Sequence, residues 1–357
     1  MEDVNIYIQA VAGISPQQTF DNTSFPDTII QYTGNRLNCV EPEYDELIDS
    51  KLIRRMSRII KMGTAAAVKC LQQSAVEMPD GIIVGTAYGC LQDTEIFLQR
   101  IIEYNEELLT PTAFIQSTHN TVGAQIALLL QCHNYNNTFV HKGFSFESAL
   151  LDGVMQLKEK EMNNVLIGAA DEITNSSHDI LARFGLYKND INGNDLYSSN
   201  TKGTLAGEGA FFFLLTTQPS EKNLAKLGGM EFFYQPESKE AIEKNIVSFL
   251  AAQSLTINDI DLIVSGRNGD KKNDEIYNEL EASVFVNKQV LNYKHLCGEY
   301  PTASSFALWM ASAIIKDESI PKALSAPSQL PSDKIKTILI YNHYLLEHHS
   351  LFLVTTC

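Results

Sequence analysis

The chain has 357 residues, which is enough for two ordinary domains or one large duplicated domain. Its formal net charge at pH 7 is −16. Because binding to phosphates requires a cationic face, this charge argues against nucleic acid as a partner. The six cysteines include no CxxC pair and the eight histidines no HxxxH spacing, so we expect neither a zinc site nor another metal centre.

The apolar stretches of the chain are short. The longest, such as those at 127–130 and 210–215, fall far below the roughly 20 residues that a membrane span needs. The sequence begins with Met1, Glu2 and Asp3, which lack the basic region of a secretory signal. We therefore expect a soluble, cytoplasmic protein with no membrane partner.

Short β-branched or aromatic runs alternate with longer helical patterns, and this alternation predicts a layered α/β fold. Strands are predicted at residues 4–11, 81–86, 138–141, 165–169, 209–216, 230–234, 261–265, 337–342 and 351–355. Helices are predicted at residues 43–74, 91–105, 121–131, 146–161, 239–253, 274–284 and 302–315.

A polar stretch at 217–224 follows the fifth predicted strand, and a new strand–helix–strand series begins after it. We therefore predict two parts, an N-terminal half at 1–216 and a C-terminal half at 217–357. Both parts contain a long helix and a short apolar strand, at 82–85 and at 262–265, which indicates duplication.

Basic side chains recur at helical spacing within the predicted helix 43–74. They are Lys51, Arg54, Arg55, Arg58 and Lys61. One interpretation is a solvated helix face, which is the commoner role of such a run of charges. The other is a docking patch for an acidic partner, since this run is a local exception to the acidic balance of the sequence.

Five stretches, in this order, resemble the ketosynthase branch of the thiolase superfamily. They are Arg-Met-Ser-Arg at 55–58 with the alanine-rich run after it, Gly-Ile-Ile-Val-Gly-Thr at 81–86, the segment 114–127, Val-Leu-Ile-Gly-Ala-Ala-Asp-Glu at 165–172 and Gly-Thr-Leu-Ala-Gly-Glu-Gly-Ala at 203–210. The resemblance implies a thiolase-like fold, with a duplicated α-β-α-β-α layered core and a two-fold dimer. The runs 119–127 and 143–150 are similar to the short ketosynthase-like proteins of bacterial aryl-polyene or flexirubin-type pathways.

A condensing ketosynthase needs a thiolate at a helix N-terminus, where the macrodipole lowers its pKa, and two imidazoles that polarise the malonyl carbonyl. The resemblance places Phe144 at the cysteine position, and a phenyl ring forms no thioester. It places Gly266 at the first histidine position. It places Glu299 at the second, five residues after a retained Lys294, with which we expect a buried ion pair. A glycine-rich turn of the family is also replaced at 343–348, so we expect no condensation chemistry.

Two other residues are candidate nucleophiles. Ser145 lies one residue beyond Phe144, and its alternative role, which we favour, is to cap the helix that follows. Cys297 has His295 two residues before it as a candidate base. An acyltransferase or hydrolase that uses either nucleophile is therefore an alternative function.

The pattern favours a non-catalytic partner subunit of an active 3-oxoacyl-carrier-protein synthase, similar to a chain-length factor of fatty-acid or polyketide-type biosynthesis. We predict that Phe114, Gln116, His119 and Phe144 shape a cavity for the growing chain, although core or interface packing explains such residues equally well. A homodimeric acyl-chain binding protein is a further alternative. An acyl carrier protein would dock at the basic run 54–61, and no cofactor is expected.

Overall fold

The computed structural model describes residues 4–21, 24–107, 109–189, 191, 195–324 and 334–357, and within them ten strands form one mixed sheet. The strands are β1 (Ile6–Ile14), β2 (Gly81–Gly85), β3 (Tyr135–Phe139), β4 (Asn164–Asp171), β5 (Gly209–Thr216), β6 (Ala225–Tyr234), β7 (Leu262–Ser265), β8 (Gln289–Asn292), β9 (Thr337–Tyr344) and β10 (His348–Thr355).

The helices lie between these strands. The α-helices are α1 (Ser50–Ile53), α2 (Arg58–Ser74), α3 (Leu91–Glu103), α4 (Pro111–Gln116), α5 (Thr121–Leu130), α6 (Ser145–Lys158), α7 (Asn175–Arg183), α8 (Lys239–Ala252), α9 (Glu275–Glu281), α10 (Lys294–Cys297) and α11 (Ser304–Asp317). Short 3-10 helices lie at Tyr44–Glu46, Lys142–Phe144, Ile257–Asp259 and Lys322–Leu324. No helix of the described ranges combines the length and the hydropathy of a membrane span.

The strand order is the same in the two halves of the sheet. From edge to edge it is β3-β2-β4-β5-β1-β6-β10-β9-β7-β8, so each half, counted from the middle outwards, contains its first, fifth, fourth, second and third strand. The pairing directions agree as well: the first strand is antiparallel to the fifth, the fifth is antiparallel to the fourth, and the second is parallel to both neighbours. The duplication is therefore confirmed. The predicted division after residue 216 falls between the two series, which join where β1 pairs with β6.

Successive side chains of a strand point to opposite faces of the sheet, and helices pack on both faces. The fold therefore has five layers. In β5, Phe211 faces the central helices α6 and α11, whereas Phe212 faces α2 and α5. In β7, Val264 faces the central helices, whereas Ile263 packs with α8 and α9. Helix α11 is buried along almost its whole length because it lies in the middle layer. The expected duplicated α-β-α-β-α core is present.

Two backbone segments, one from each half, meet at Gly207 and Gly298. The N–H of Gly207 donates to the Glu299 carbonyl (3.1 Å), and the N–H of Glu299 donates to the Leu205 carbonyl (2.8 Å). A Cβ on Gly207 would lie 2.0 Å from the Cys297 carbonyl oxygen, and Gly298 has a φ of +74°. Since only glycine permits this approach, two glycines specify the joint between the halves.

The predicted helix 43–74 is wrong in its first part. The chain forms α1 and then a turn, and α2 begins only at Arg58, after Ser57 in an extended conformation. The break buries Met56 against the core cluster around α2, and this burial favours the break over one continuous helix.

Elements without a strong apolar pattern escaped prediction. They are α4, α7, α10 and β8. Helix α7 has no fully buried residue and only 9 residues, which is too short for an apolar stripe to repeat over several turns. Strand β8 has four half-buried residues, too few for a period-two pattern to stand out.

Replacing Gly207 with alanine should destabilise the fold by about 3 kcal/mol or more, because the new methyl group would overlap the Cys297 carbonyl. The measurement is the free energy of unfolding in urea. Gly34→Ala is the control, since Gly34 has a φ of +89° but no atom within 4 Å of its Cβ position. It should lose only about 1 kcal/mol, from its left-handed backbone. Equal losses in the two variants would contradict the role of close approach.

Candidate functional site

Phe144 lies where a 3-10 turn passes into α6. It is the N-cap residue of that helix, and its side chain is buried. Its ring packs edge-on against His348, with 4.7 Å between ring centroids, and against Phe232 at 5.3 Å. The position at the helix N-terminus, which would activate a thiolate, therefore holds an apolar ring enclosed by other rings.

Ser145 does not have the capping role that we predicted. It is already helical, and its hydroxyl donates to the Lys142 carbonyl (2.8 Å) and accepts from the His141 N–H (2.9 Å). The side chain thus closes the turn before α6, while Phe144 takes the N-cap position. Because Ser145 is fully buried, its hydroxyl is not accessible to a substrate.

Gly266 follows β7 in a crowded environment. Its N–H donates to the Tyr341 carbonyl (2.9 Å). A Cβ at this position would lie 2.4 Å from Oδ1 of Asn342 and 2.7 Å from the hydroxyl of Tyr277. These two side chains occupy the space that an imidazole would need, so the first histidine position has no room for a ring.

Lys294 and Glu299 form the buried ion pair that we predicted. The ammonium of Lys294 donates to both carboxylate oxygens of Glu299, at 2.7 and 2.6 Å. The amide of Asn268 donates to the same carboxylate at 2.7 Å. Lys294 is fully buried and Glu299 nearly so, so the second histidine position holds a satisfied charge pair.

Cys297 and His295 do not form a nucleophile–base pair among the described residues. The thiol of Cys297 is fully buried and donates to the Gly298 carbonyl (3.3 Å), and burial raises its pKa well above the ordinary value. Nδ1 of His295 lies 3.2 Å from the Tyr197 hydroxyl, and burial lowers the pKa of this imidazole to about 4. The thiol therefore stays protonated, without a base beside it.

A cavity of about 500 Å³ lies beside Glu299. Asn268 and Glu299 line it together with aromatic, aliphatic and basic side chains from α7, from the end of β9 and from five connecting segments. These are Tyr88, Leu181, Phe184, Leu186, Tyr187, Tyr300, Tyr344, Leu345, Lys202, Lys271 and Lys272. Sequence reasoning missed this cavity because most of its wall comes from α7 and from loops, which carry no periodic pattern.

The four predicted cavity residues do not line this cavity. Phe114 and His119 are exposed, and Gln116 is half-buried with its amide donating to the Arg55 carbonyl. Phe144 is buried among aromatic rings. That they shape a cavity together with a second subunit stays a prediction.

Two tyrosines separate the cavity from the turn that carries Phe144. The hydroxyls of Tyr88 and Tyr344 are 3.2 Å apart and hydrogen-bonded, and both residues line the cavity. On its other side Tyr344 contacts the same turn, since a Cβ on Gly143 would lie 2.6 Å from the Cβ of Tyr344. A ligand in the cavity would therefore meet Glu299 before Phe144.

The predicted basic helix face is not a continuous face. Arg54 and Arg55 are exposed in the turn after α1, and Lys61 is half-buried in α2. The guanidinium of Arg58 instead donates to both carboxylate oxygens of the fully buried Glu208, each at 2.6 Å. The role of Arg58 is thus structural, because removing it would leave a buried carboxylate without a counter-charge.

The described residues contain no group of three or more His, Cys, Asp or Glu side chains that could hold a metal ion.

Comparison with known proteins is consistent with this geometry. The family model described as beta-ketoacyl synthase, N-terminal domain, matches residues 39–183, which include Phe144. This segment is therefore similar to the N-terminal domain of beta-ketoacyl synthases. Gly266, Lys294 and Glu299 lie outside the matched segment, in the second half of the fold. No curated protein matched the sequence.

Three solved structures share the fold over nearly the whole chain. The ishigamide ketosynthase/chain length factor superposes with a TM-score of 0.79 at 16% identity, covering 99% of both chains. The ketosynthase ApeO in complex with its chain length factor ApeC from Xenorhabdus doucetiae gives 0.76 at 16%, covering 99% of this chain and 98% of that one. AntDE:AntF, a type II PKS acyl-carrier protein in complex with its ketosynthase, gives 0.74 at 13%, covering 99% and 100%. The chain therefore has the thiolase-like fold of these ketosynthase structures.

Removing one charge of the buried Lys294–Glu299 ion pair should destabilise the folded state. Lys294→Met leaves the Glu299 carboxylate buried without a cation, with an expected loss of about 3–5 kcal/mol in the free energy of unfolding, measured in urea. The double variant Lys294→Met/Glu299→Leu removes both charges and should recover most of that loss. A single variant that unfolds no more easily than the double would show that the pair does not act as a unit.

Glu172 should make the free energy of unfolding depend on pH. It lines the cavity with 4% exposure, and burial raises its pKa from 4.5 to about 7. The folded state therefore holds this proton more tightly than the unfolded state, and its contribution to stability is lost as the pH rises from about 4.5 to about 7. In urea unfolding across this window, Glu172→Gln should gain stability over the original chain as the pH rises. A difference that is constant with pH would refute this assignment.

Proposed function

We propose that this chain is a non-condensing subunit that pairs with an active ketosynthase and shapes the cavity for the growing acyl chain, in the manner of a chain-length factor. The observation that carries the proposal is Phe144. A ring enclosed by His348 and Phe232 stands at the helix N-terminus where the family resemblance assigns the nucleophile. Without a thiol at this position, no acyl group is transferred to the subunit.

The environments of the two histidine positions support the same proposal. Condensation needs neutral imidazoles that stabilise the enolate formed on decarboxylation. Glu299 offers a carboxylate whose oxygens are already bonded by Lys294 and Asn268. At Gly266, the side chains of Asn342 and Tyr277 leave no space for a ring. The surroundings of all three positions thus support a subunit without condensation chemistry.

The edge of the sheet at β3 offers a surface for the partner subunit. Helices α5 and α6 pack beside this edge strand. Each helix exposes large apolar side chains: Leu128 on α5 is 68% exposed, and Leu151 and Met155 on α6 are 36% and 48% exposed. An open strand edge flanked by apolar side chains is normally covered in a stable assembly. We assign it to a second subunit of the same fold.

The solved relatives support a ketosynthase as that partner, because two of the three are described as a ketosynthase with a chain length factor. The similarity of runs 119–127 and 143–150 to aryl-polyene proteins makes that type of pathway the proposed setting. An acyl carrier protein remains a further proposed partner. Of the basic run, Arg54 and Arg55 are exposed for docking, whereas Arg58 is held by Glu208.

The cavity beside Glu299 favours a second candidate, a homodimeric binding protein for acyl chains. Its walls are mainly aromatic and aliphatic, and exposed Lys202, Lys271 and Lys272 lie along it. Such a cavity suits an apolar chain. The relocated acyltransferase or hydrolase has less support, since Ser145 and Cys297 are both fully buried.

Incubation with excess acyl-phosphopantetheine thioester, followed by intact mass measurement, tests the loss of chemistry. No acyl adduct is expected under conditions that fully acylate an active ketosynthase run in parallel. An adduct would overturn the non-condensing proposal, and peptide mapping would identify its nucleophile, with Ser145 and Cys297 examined first.

Co-expression with a ketosynthase of an aryl-polyene-type pathway tests the pairing. We expect a stable heterodimer, and we expect Leu128→Lys/Met155→Lys to weaken its association about tenfold or more by placing charges in an apolar interface. Val247→Lys on α8 is the matched control, because Val247 is 55% exposed but lies in the other half. A homodimer that never exchanges with a ketosynthase would favour the second candidate.

A further inference from the structure

The turn between β9 and β10, residues 345–347, has an unfavourable backbone conformation. Leu345 has a φ of +54° and Leu346 a φ of +58°. Residues with a Cβ rarely adopt this left-handed region, which is why glycine and asparagine are the usual residues in such turns. The N–H of Glu347 donates to the Tyr344 carbonyl (3.1 Å) and closes the turn. Two leucines keep this conformation only if the surrounding structure holds them in it.

Two imidazoles hold the centre of the turn by bonding both backbone groups of Leu346. His343 and His349 lie opposite each other in the two strands of the hairpin, and both side chains are buried. The N–H of Leu346 donates to Nδ1 of His343 (3.3 Å), and the carbonyl of Leu346 accepts from Nε2 of His349 (3.2 Å). Each imidazole thus satisfies one backbone group of the strained residue.

The other ring nitrogens fix the tautomer of each imidazole. Nε2 of His343 lies 2.9 Å from the Asn273 carbonyl, which only accepts, so Nε2 carries the hydrogen and Nδ1 is free to accept. Nε2 of His349 also carries the hydrogen, and its Nδ1 accepts from the Tyr341 hydroxyl (2.9 Å). Burial lowers the pKa of both imidazoles, that of His349 to about 4, so both rings are neutral at neutral pH.

Aromatic rings hold both imidazoles in place. The ring of His343 stacks on Tyr277, with 4.9 Å between centroids, and that of His349 stacks on Phe233 at 5.1 Å. The hydroxyl of Tyr277 also accepts from the backbone N–H of His343 (3.1 Å). Because each imidazole is stacked and bonded at both nitrogens, neither ring can rotate without breaking several contacts.

We propose that His343 and His349 are positioning residues that lock the β9–β10 turn into a fixed wall of the cavity. Tyr344 and Leu345, on either side of the start of this turn, both line the cavity, and Tyr344 separates it from the turn that carries Phe144. The lock therefore limits the depth of the cavity on this side. The effect on a ligand rests on the second proposed function, the binding of acyl chains, whereas the lock itself does not.

Long-range ¹H–¹⁵N NMR of the full chain with ¹⁵N-labelled histidine tests the lock without a ligand. We expect both rings as neutral Nε2–H tautomers at neutral pH, with signals assigned by their loss in His343→Phe and His349→Phe. Tyr341→Phe removes only the hydroxyl that His349 accepts from, and it should give a mixture of tautomers at His349. A cationic or Nδ1–H form of either ring in the original chain would overturn the proposal.

Amide hydrogen exchange measures whether the imidazoles hold the turn. His349→Phe keeps a ring against Phe233 but loses both hydrogen bonds, and it should accelerate exchange at the Leu346 amide about tenfold. Tyr341→Phe is the milder variant and should give a smaller acceleration. His133→Phe replaces an exposed histidine and is the matched control, which should exchange as the original chain does. Unchanged exchange in both test variants would show that the turn does not need the imidazoles.

The dissociation rate of Nile red, an uncharged apolar fluorophore, tests the effect on the cavity. A loosened wall should release it about three- to tenfold faster in His349→Phe, less so in Tyr341→Phe, and at the original rate in His133→Phe. Equal rates in all variants, together with faster exchange at Leu346, would contradict the role of the lock in the cavity. If the original chain binds no Nile red, the second proposed function fails, and the NMR and exchange results decide the lock by themselves.

Discussion

The approach of Gly207 to Gly298 is the constraint on which the geometry of the site depends. At this point the backbones of the two halves are close enough that a single methyl group would overlap a carbonyl oxygen. Each glycine is followed by a buried glutamate: Glu208 after the first and Glu299 after the second. The joint therefore places two carboxylates in the core, and the surrounding structure must satisfy both.

The two carboxylates are satisfied in different ways. Glu208 accepts hydrogen bonds from Arg58 and from the backbone N–H groups of Cys39 and Ile173. These bonds join the start of α2 to the two segments that carry Cys39 and Ile173. Glu299 accepts from Lys294 and Asn268, within its own half. A buried pair of this kind contributes little net stability, but it strongly penalises the loss of one partner. The Lys294–Glu299 pair thus holds the segment around Gly298 in one fixed arrangement.

Much of this could be predicted from the sequence, and the reasons are local. Strand β5 was predicted with its observed bounds because its apolar run is continuous and ends in polar residues. The ion pair was predicted because the family resemblance retains Lys294 and places Glu299 at the position of a histidine five residues later. Arg58 was misread as a surface charge, because its partner Glu208 lies 150 residues away in the chain. Ser145 was misread as a cap because its backbone joins the helix one residue earlier than expected.

The sequence by itself predicted most of the elements in their order, and it indicated the duplication. These features follow from hydrophobic periodicity and from residue types, which are local properties of the sequence. Only the tertiary structure decided that Asn342 and Tyr277 fill the space at Gly266, and that the cavity lies on the α7 side of Tyr344. These facts depend on which segments pack together across the sheet, and no local pattern encodes that packing.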